Sequence, residues 1–280
     1  MAKSDNAAKA RRETLRVAGP AGEIAVLVEG DPAGAPVFMT HSILSSSMMW
    51  DSEAALLAAR GYRVIRADTR GHGDTQPPAG PCTMDELADD TIAVLDALGI
   101  ERVHYVGLSL GGMSGFGLGI RHAGRLSSLC LCDARADTPP DLQLVWAERI
   151  AVARERGTAA LADSTIERWF GRSFVGAHPE IAGRFRRQAA ATSVAGFVGC
   201  AQAIQGLDYL GDVGGIAVPT TLLVGANDGP LPDAMRHLQT LIHGAGIEVI
   251  PDAGHLPNID QPAAFQDALL RHLDRVRIGH

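Results

Sequence analysis

Residues 102–112, RVHYVGLSLGG, limit what this chain can become more than any other stretch. An apolar run that reads as a strand passes directly into Gly107-Leu108-Ser109-Leu110-Gly111, with Gly112 and Gly117 beyond. Small residues around a strand-to-helix corner let the two elements pack tightly and let the residue at the corner take a strained backbone. Such a corner sets the Ser109 hydroxyl at a helix N-terminus, where the local field favours developing negative charge.

The corner needs a sheet around it, and the flanking sequence supplies one. Strand-like runs stand at 14–18, 23–30, 35–42 and 62–68, with Gly and Pro as punctuation between the earliest of them. Helix-like TMDELADDTIAVLDALG (83–99) follows, with Leu87, Ile92, Leu95 and Leu98 at helical spacing and Thr83 as its cap. After the strand at 102–109 come strand-like 126–134, 220–228 and 247–254, and helix-like 232–244 and 262–276. Strand and helix in alternation predict an α/β fold with a mostly parallel eight-stranded sheet flanked by helices. Between 137 and 212 the strand signal vanishes, and an Ala- and Arg-rich stretch with Trp146, Trp169, Phe170 and Phe174 reads as helical throughout. The expected organisation is a flexible leader at 1–12, a core at 13–136 and 213–280, and a helical cap or lid at 137–212 inserted late in the sheet.

A nucleophilic serine needs a base, and the base needs an orienting acid, in the chain order Ser, acid, His for an elbow of this kind. Of ten histidines, His255 in DAGHLPN follows the last strand and is the candidate base. His237, His243, His272 and His280 read as surface residues, His104 as a strand residue and His41 as a loop-shaping one. Asp228 ends the strand LLVGAND and is the preferred acid, with Asp133, at the end of the preceding strand, as the fallback. The oxyanion donors are assigned to the N–H groups of Leu110 and Ile43, while Ser45, Ser46 and Ser47 read as helix caps. Trp146, Trp169, Arg135, Arg168 and Arg172 are candidates for the substrate pocket, the arginines for a substrate carboxylate.

Composition narrows the partners. With 46% hydrophobic and 20% charged residues the chain can bury a full core. A net charge of −7 argues against nucleic acid. The polar start MAKSDNAAKARRETL offers no secretory signal, and no apolar run is long enough to span a membrane. Cys82, Cys130, Cys132 and Cys200 form no CxxC pair and read as reduced core residues, which points to the cytoplasm and to no metal site. No Rossmann glycine motif follows an early strand, so no cofactor is expected. A homo-oligomer is left open.

Over nearly its whole length the chain resembles the α/β-hydrolase superfamily, on THS (40–42), RADTRGHGDT (66–75), GLSLGG (107–112), GAND (225–228) and GHLPNIDQP (254–262). Within it the chain is most similar to 3-oxoadipate enol-lactonases, on RADTRGHGDT (66–75), LDALGI (95–100), GLSLGGM (107–113), ERWF (167–170), LDYL (207–210) and HLPNIDQP (255–262), while His41-Ser42 and NDGPLPD (227–233) depart from that family. The resemblance implies the α/β-hydrolase fold, Ser109 as nucleophile, Asp228 as acid, His255 as base, and a small-molecule ester or enol-lactone as substrate. Haloalkane dehalogenases and epoxide hydrolases of this fold carry an aspartate at the elbow, so Ser109 argues against both; cofactor-free haloperoxidases share the triad. Two alternatives stand beside the esterase and lactonase reading: a carbon–carbon bond hydrolase of ring-cleavage products with the same triad, and a non-catalytic ligand sensor.

Overall fold

The structure, a computed structural model, describes residues 12–278. The leader expected at 1–12 falls outside them except for Arg12. Strands β1 (Glu13–Gly19) and β2 (Gly22–Gly30) form a hairpin closed at Gly19 and Gly22. Then come β3 (Pro36–Thr40), α1 (Asp51–Ala59), β4 (Arg63–Ala67), α2 (Met84–Ala97), β5 (Val103–Leu108), α3 (Leu110–Arg121) and β6 (Leu126–Cys132). Thr83 caps α2 in a reciprocal box: its hydroxyl accepts the Glu86 N–H (3.2 Å), and the Glu86 carboxylate accepts the Thr83 N–H (2.8 Å).

Four helices fill the next stretch: α4 (Pro140–Arg156), α5 (Ala159–Ala177), α6 (Pro179–Ala191) and α7 (Val194–Gln205). The chain returns to the sheet with β7 (Thr220–Gly225), α8 (Leu231–Leu241) and β8 (Gly246–Ile250), and closes with α9 (Pro257–Asp260) and α10 (Pro262–Ile278). The eight strands lie in the order β1-β2-β4-β3-β5-β6-β7-β8. Only β2 runs against its neighbours; from β4 to β8 every pairing is parallel. Helices on both faces bury the central strands, so β5 is buried along its whole length, as parallel sheets require.

Between 140 and 205 no strand interrupts the helices among the described residues, in agreement with the lost strand signal. An aromatic cluster holds this section together: Trp169 and Phe185 meet edge-on at 6.2 Å, and Phe170 stacks on Phe174 at 4.9 Å. The section is tied to the loops at the strand C-termini. Ser193 gives its N–H (3.1 Å) and its hydroxyl (3.0 Å) to the carbonyl of Gly71, and Thr138 gives its hydroxyl to the carbonyl of Ile204 (2.6 Å).

The four cysteines are buried and free, and Cys130 and Cys132 have their sulfurs 4.0 Å apart on one face of β6. His272 departs from the surface position expected of it. It is 2% exposed and lies between Ser128 (2.9 Å) and Thr221 (2.7 Å), because α10 turns its apolar stripe, and His272 with it, onto the sheet. No helix among the described residues is long and apolar enough to cross a membrane.

Candidate active site

Ser109 joins β5 to α3 with φ 56° and ψ −113°, a left-handed conformation that side chains rarely adopt. The glycines make the corner possible. A methyl on Gly107 would meet the Gly111 carbonyl oxygen at 2.3 Å, and one on Gly111 would meet the Thr40 hydroxyl at 2.3 Å. The serine N–H bonds the Cys132 carbonyl (2.9 Å), the serine carbonyl accepts the Met113 N–H (2.8 Å), and the side chain is free to point away from both elements.

The loops after β7 and β8 bring Asp228 and His255 to this corner. His255 Nε2 is 2.9 Å from Ser109 Oγ, and His255 Nδ1 donates to Asp228 Oδ2 at 2.6 Å. All three residues are about 4% exposed. Burial holds His255 below the ordinary imidazole value despite the nearby Asp228 charge, so its Nε2 carries a free lone pair at neutral pH. Burial alone would raise Asp228, but the charge of His255, its hydrogen bond and Arg168 bring it below the usual carboxylate range. Asp133, the other candidate acid, sits beside Asp228 instead of on His255. Asp133, Asp228 and His255 have polar atoms within 4.8 Å of one another, but the Nδ1–H of His255 is held by Asp228, which leaves that nitrogen no lone pair for a metal.

Two backbone N–H groups named as donors from sequence lack partners near the corner. Leu110, the residue after the serine, and Ile43, in the loop after β3, are both buried, and among the described residues neither N–H makes a hydrogen bond. His41 braces that loop: its Nε2 accepts the Thr69 N–H (2.8 Å), so its Nδ1–H donates to the Ser42 carbonyl (2.8 Å). Of the three serines expected to cap a helix, Ser46 accepts from the Met48 N–H at 3.4 Å. Ser47 gives its own N–H to Asp68 (2.7 Å), and the Ser45 hydroxyl is buried without a partner among the described residues.

A cavity of about 350 Å³ opens over Ser109 and His255, walled by residues from α4, α5 and the start of α8. Trp146, Trp169, Arg135 and Arg168, expected there from sequence, all line it. Trp169 also fixes the histidine loop, since its carbonyl accepts the His255 N–H at 2.8 Å, just before Gly171 breaks α5. Arg135 is held by Asp137 (2.6 Å to the carbonyl, 3.1 Å to the carboxylate), and Arg168 stands 3.7 Å from Asp228. Arg172 is 87% exposed, pairs with Glu167 and does not line the cavity, because the break at Gly171 turns the helix there.

Sequence reading missed Arg149. It lines the cavity half-buried, over the rings of Trp146 (5.4 Å) and Phe197 (6.0 Å), and donates to the Thr165 hydroxyl (2.9 Å). Among the described residues it makes no ion pair, and its Nε is buried without a partner. Burial, then the charge of Arg168, lowers its pKa to about 10. Its spacing from Leu142 and Trp146, one helical face, is the signal that could have revealed it.

A family description, alpha/beta hydrolase fold, matches residues 35–262. The chain is 30% identical to a 3-oxoadipate enol-lactonase of Acinetobacter baylyi over 83% of this chain and 86% of that protein. Its fold superposes on the crystal structure of an enol-lactonase from Burkholderia xenovorans with a TM-score of 0.89 at 31% identity, covering 93% of this chain and 100% of that one. A thermophilic esterase from Thermogutta terrifontis, solved with malate bound, gives 0.87 at 29% identity, covering 94% and 99%.

Proposed function

The chain belongs to the alpha/beta hydrolase fold family, and from that premise we propose that it hydrolyses small carboxylic esters or lactones, enol-lactones among them, that carry a second, negatively charged group. The observation that carries this reading is the hydrogen-bonded file of Ser109, His255 and Asp228 at the floor of a cavity of about 350 Å³. Helices α4 to α7 serve as its cap, and the 13–136 and 213–280 segments as the catalytic core.

Neutral His255 takes the proton of Ser109 Oγ as that oxygen attacks the carbonyl carbon. Asp228 fixes the imidazole tautomer and stabilises the imidazolium. The N–H groups of Ile43 and Leu110 receive the oxyanion, each lowering the barrier by about 3 kcal/mol. The imidazolium proton passes to the leaving oxygen. In a lactone that oxygen stays tethered to the acyl chain, so ring opening and acyl-enzyme formation are one event. Water then enters, gives a proton to His255 and attacks the acyl carbon; the tetrahedral intermediate collapses as His255 passes that proton to Ser109 Oγ, freeing the serine and the acid.

Arg149 supports the anionic part of the reading. A half-buried guanidinium without a carboxylate is incomplete, and a substrate carboxylate in the cavity would complete it. The named enol-lactonase relatives support the lactone part.

Ser109→Ala is the test. Turnover of p-nitrophenyl acetate and of a lactone bearing a carboxylate should fall by about 10⁴-fold or more, with circular dichroism and Tm unchanged. Activity that survives in the folded variant would overturn the assignment.

A further inference from the structure

We propose that Asp133 is a neutral carboxylic acid whose O–H donates to Asp228, making it a positioning residue for the carboxylate that orients His255. The proposal rests on reading Asp228 as the orienting acid.

Asp133 ends β6 with φ 45° and is wholly buried. That left-handed turn directs its side chain to the end of β7, where Oδ1 accepts the Gly225 N–H at 2.8 Å. Its other oxygen, Oδ2, is buried and has no hydrogen-bond partner among the described residues. An orphaned carboxylate oxygen in a dry site is strongly unfavourable; an orphaned hydroxyl beside an acceptor is not, because its proton can be shared. The neighbouring carboxylate is Asp228: an oxygen of each and a nitrogen of His255 lie within 4.8 Å of one another, and Asp133 and Asp228 act on each other as hydrogen-bonded side chains.

Only one of two such carboxylates can readily hold a charge. His255 chooses which, since its Nδ1–H is bound to Asp228 at 2.6 Å and none of its atoms bonds Asp133. The remaining proton belongs to Asp133, and burial together with the Asp228 charge pushes its pKa well up. The other charged groups about the pair are Arg168 from α5, 3.7 Å from Asp228, and Asp260 from α9, which burial raises to about 6. Arg168 is 52% exposed, so water weakens its hold on Asp228 and leaves Asp133 as the sheltered donor.

Infrared difference spectroscopy between the wild-type protein and Asp133→Asn at pH 7 reads the proton directly, without turnover, and so stands apart from the fate of Ser109→Ala. The carbonyl stretch of a protonated carboxyl group should be present in wild type and lost in the variant; its absence from wild type would overturn the proposal. Kinetics on p-nitrophenyl acetate supply the second arm. Asp133→Ala removes the donor and should lower kcat about tenfold with KM unchanged, the rate equivalent of one hydrogen bond to a charged group. It should also move the acid limb of the kcat profile to higher pH, because a less shared Asp228 charge favours the imidazolium. Asp133→Asn keeps an N–H donor toward Asp228 and a carbonyl toward Gly225, and should restore most of the rate and return the limb to its place. A wild-type rate and limb in Asp133→Ala would refute the role. So would a limb displaced to lower pH in Asp133→Asn, the mark of a lost negative charge. Should the alanine variant fail to fold, the asparagine limb and the infrared band still decide.

Discussion

On β4, Arg66 lies 1% exposed between Glu29 (2.5 Å) and Asp51 (2.8 Å), and its guanidinium also donates a hydrogen bond to the Ser47 carbonyl (3.0 Å). Under the helices, Arg149 has aromatic rings, one hydroxyl and no carboxylate. Arg66 has left water and Arg149 has done so in part, but among the described residues only the first has its charge answered by carboxylates. A buried ion pair missing one partner is strongly destabilising, so a fold keeps a lone buried cation where a ligand will answer it. The difference separates a region whose buried charge the chain answers by itself from one that, on the proposed function, a substrate would complete.

Three measurements press on that contrast. The largest effect belongs to the completed region. Arg66→Ala leaves the largely buried Glu29 without its cation, though Asp51 keeps Arg184 (2.6 Å), and should cost about 3 kcal/mol in denaturant unfolding. An unchanged midpoint would erase the contrast. Next is Glu53, buried on α1 against Asn258 and Gln266, where burial raises its pKa to about 7 from an ordinary 4.5. An acid whose folded pKa is raised contributes stability at low pH that is lost as pH rises from about 4.5 to about 7, a swing of roughly 3 kcal/mol. Glu53→Gln removes the titrating group and keeps one acceptor oxygen for Gln266 or Asn258, which bond separate oxygens of Glu53; it should raise Tm at pH 8 relative to its effect at pH 4.5. A gain of equal size at both values would mean that Glu53 is not the group titrating. The smallest effect tests the incomplete region. Arg149→Met should lower kcat/KM about 10- to 100-fold on a carboxylate-bearing ester, far less on its neutral methyl ester, and leave Tm unchanged or higher. Arg172→Met, on the exposed side of the kink, serves as the control and should spare both substrates. Equal losses on charged and neutral esters in the Arg149 variant would remove the anion from the pocket.

The sequence was most legible where signals are local. All eight strands stand within a few residues of the runs that announced them, and α2 begins at Thr83 as its capping pattern requires. The residues of the candidate triad lie at strand C-termini, where turn residues mark the end of an apolar run. His272 was misplaced because its partners, Ser128 and Thr221, lie 144 and 51 positions away. Even so it follows Phe265 by two turns and precedes Val276 by one, within the buried stripe of α10. The helices around the cavity posed a harder problem. Arg135, Arg149, Arg168 and Arg172 are alike as letters in an Arg-rich stretch, and their fates depend on a kink at Gly171 and on which neighbour reaches which guanidinium.

By itself the sequence determined that a serine would sit on a strained corner at the end of a central strand, because glycine spacing and apolar periodicity act over a few residues and leave the backbone few choices. Only the tertiary structure decided which aspartate faces His255 and which stands behind it, and which arginine is left without an anion. Asp133 and Asp228 both follow buried parallel strands between Ser109 and His255, so the sequence could prefer Asp228 without excluding Asp133. They separate once the loop after β8 brings His255 within 2.6 Å of Asp228, a contact set by the order of strands in the sheet.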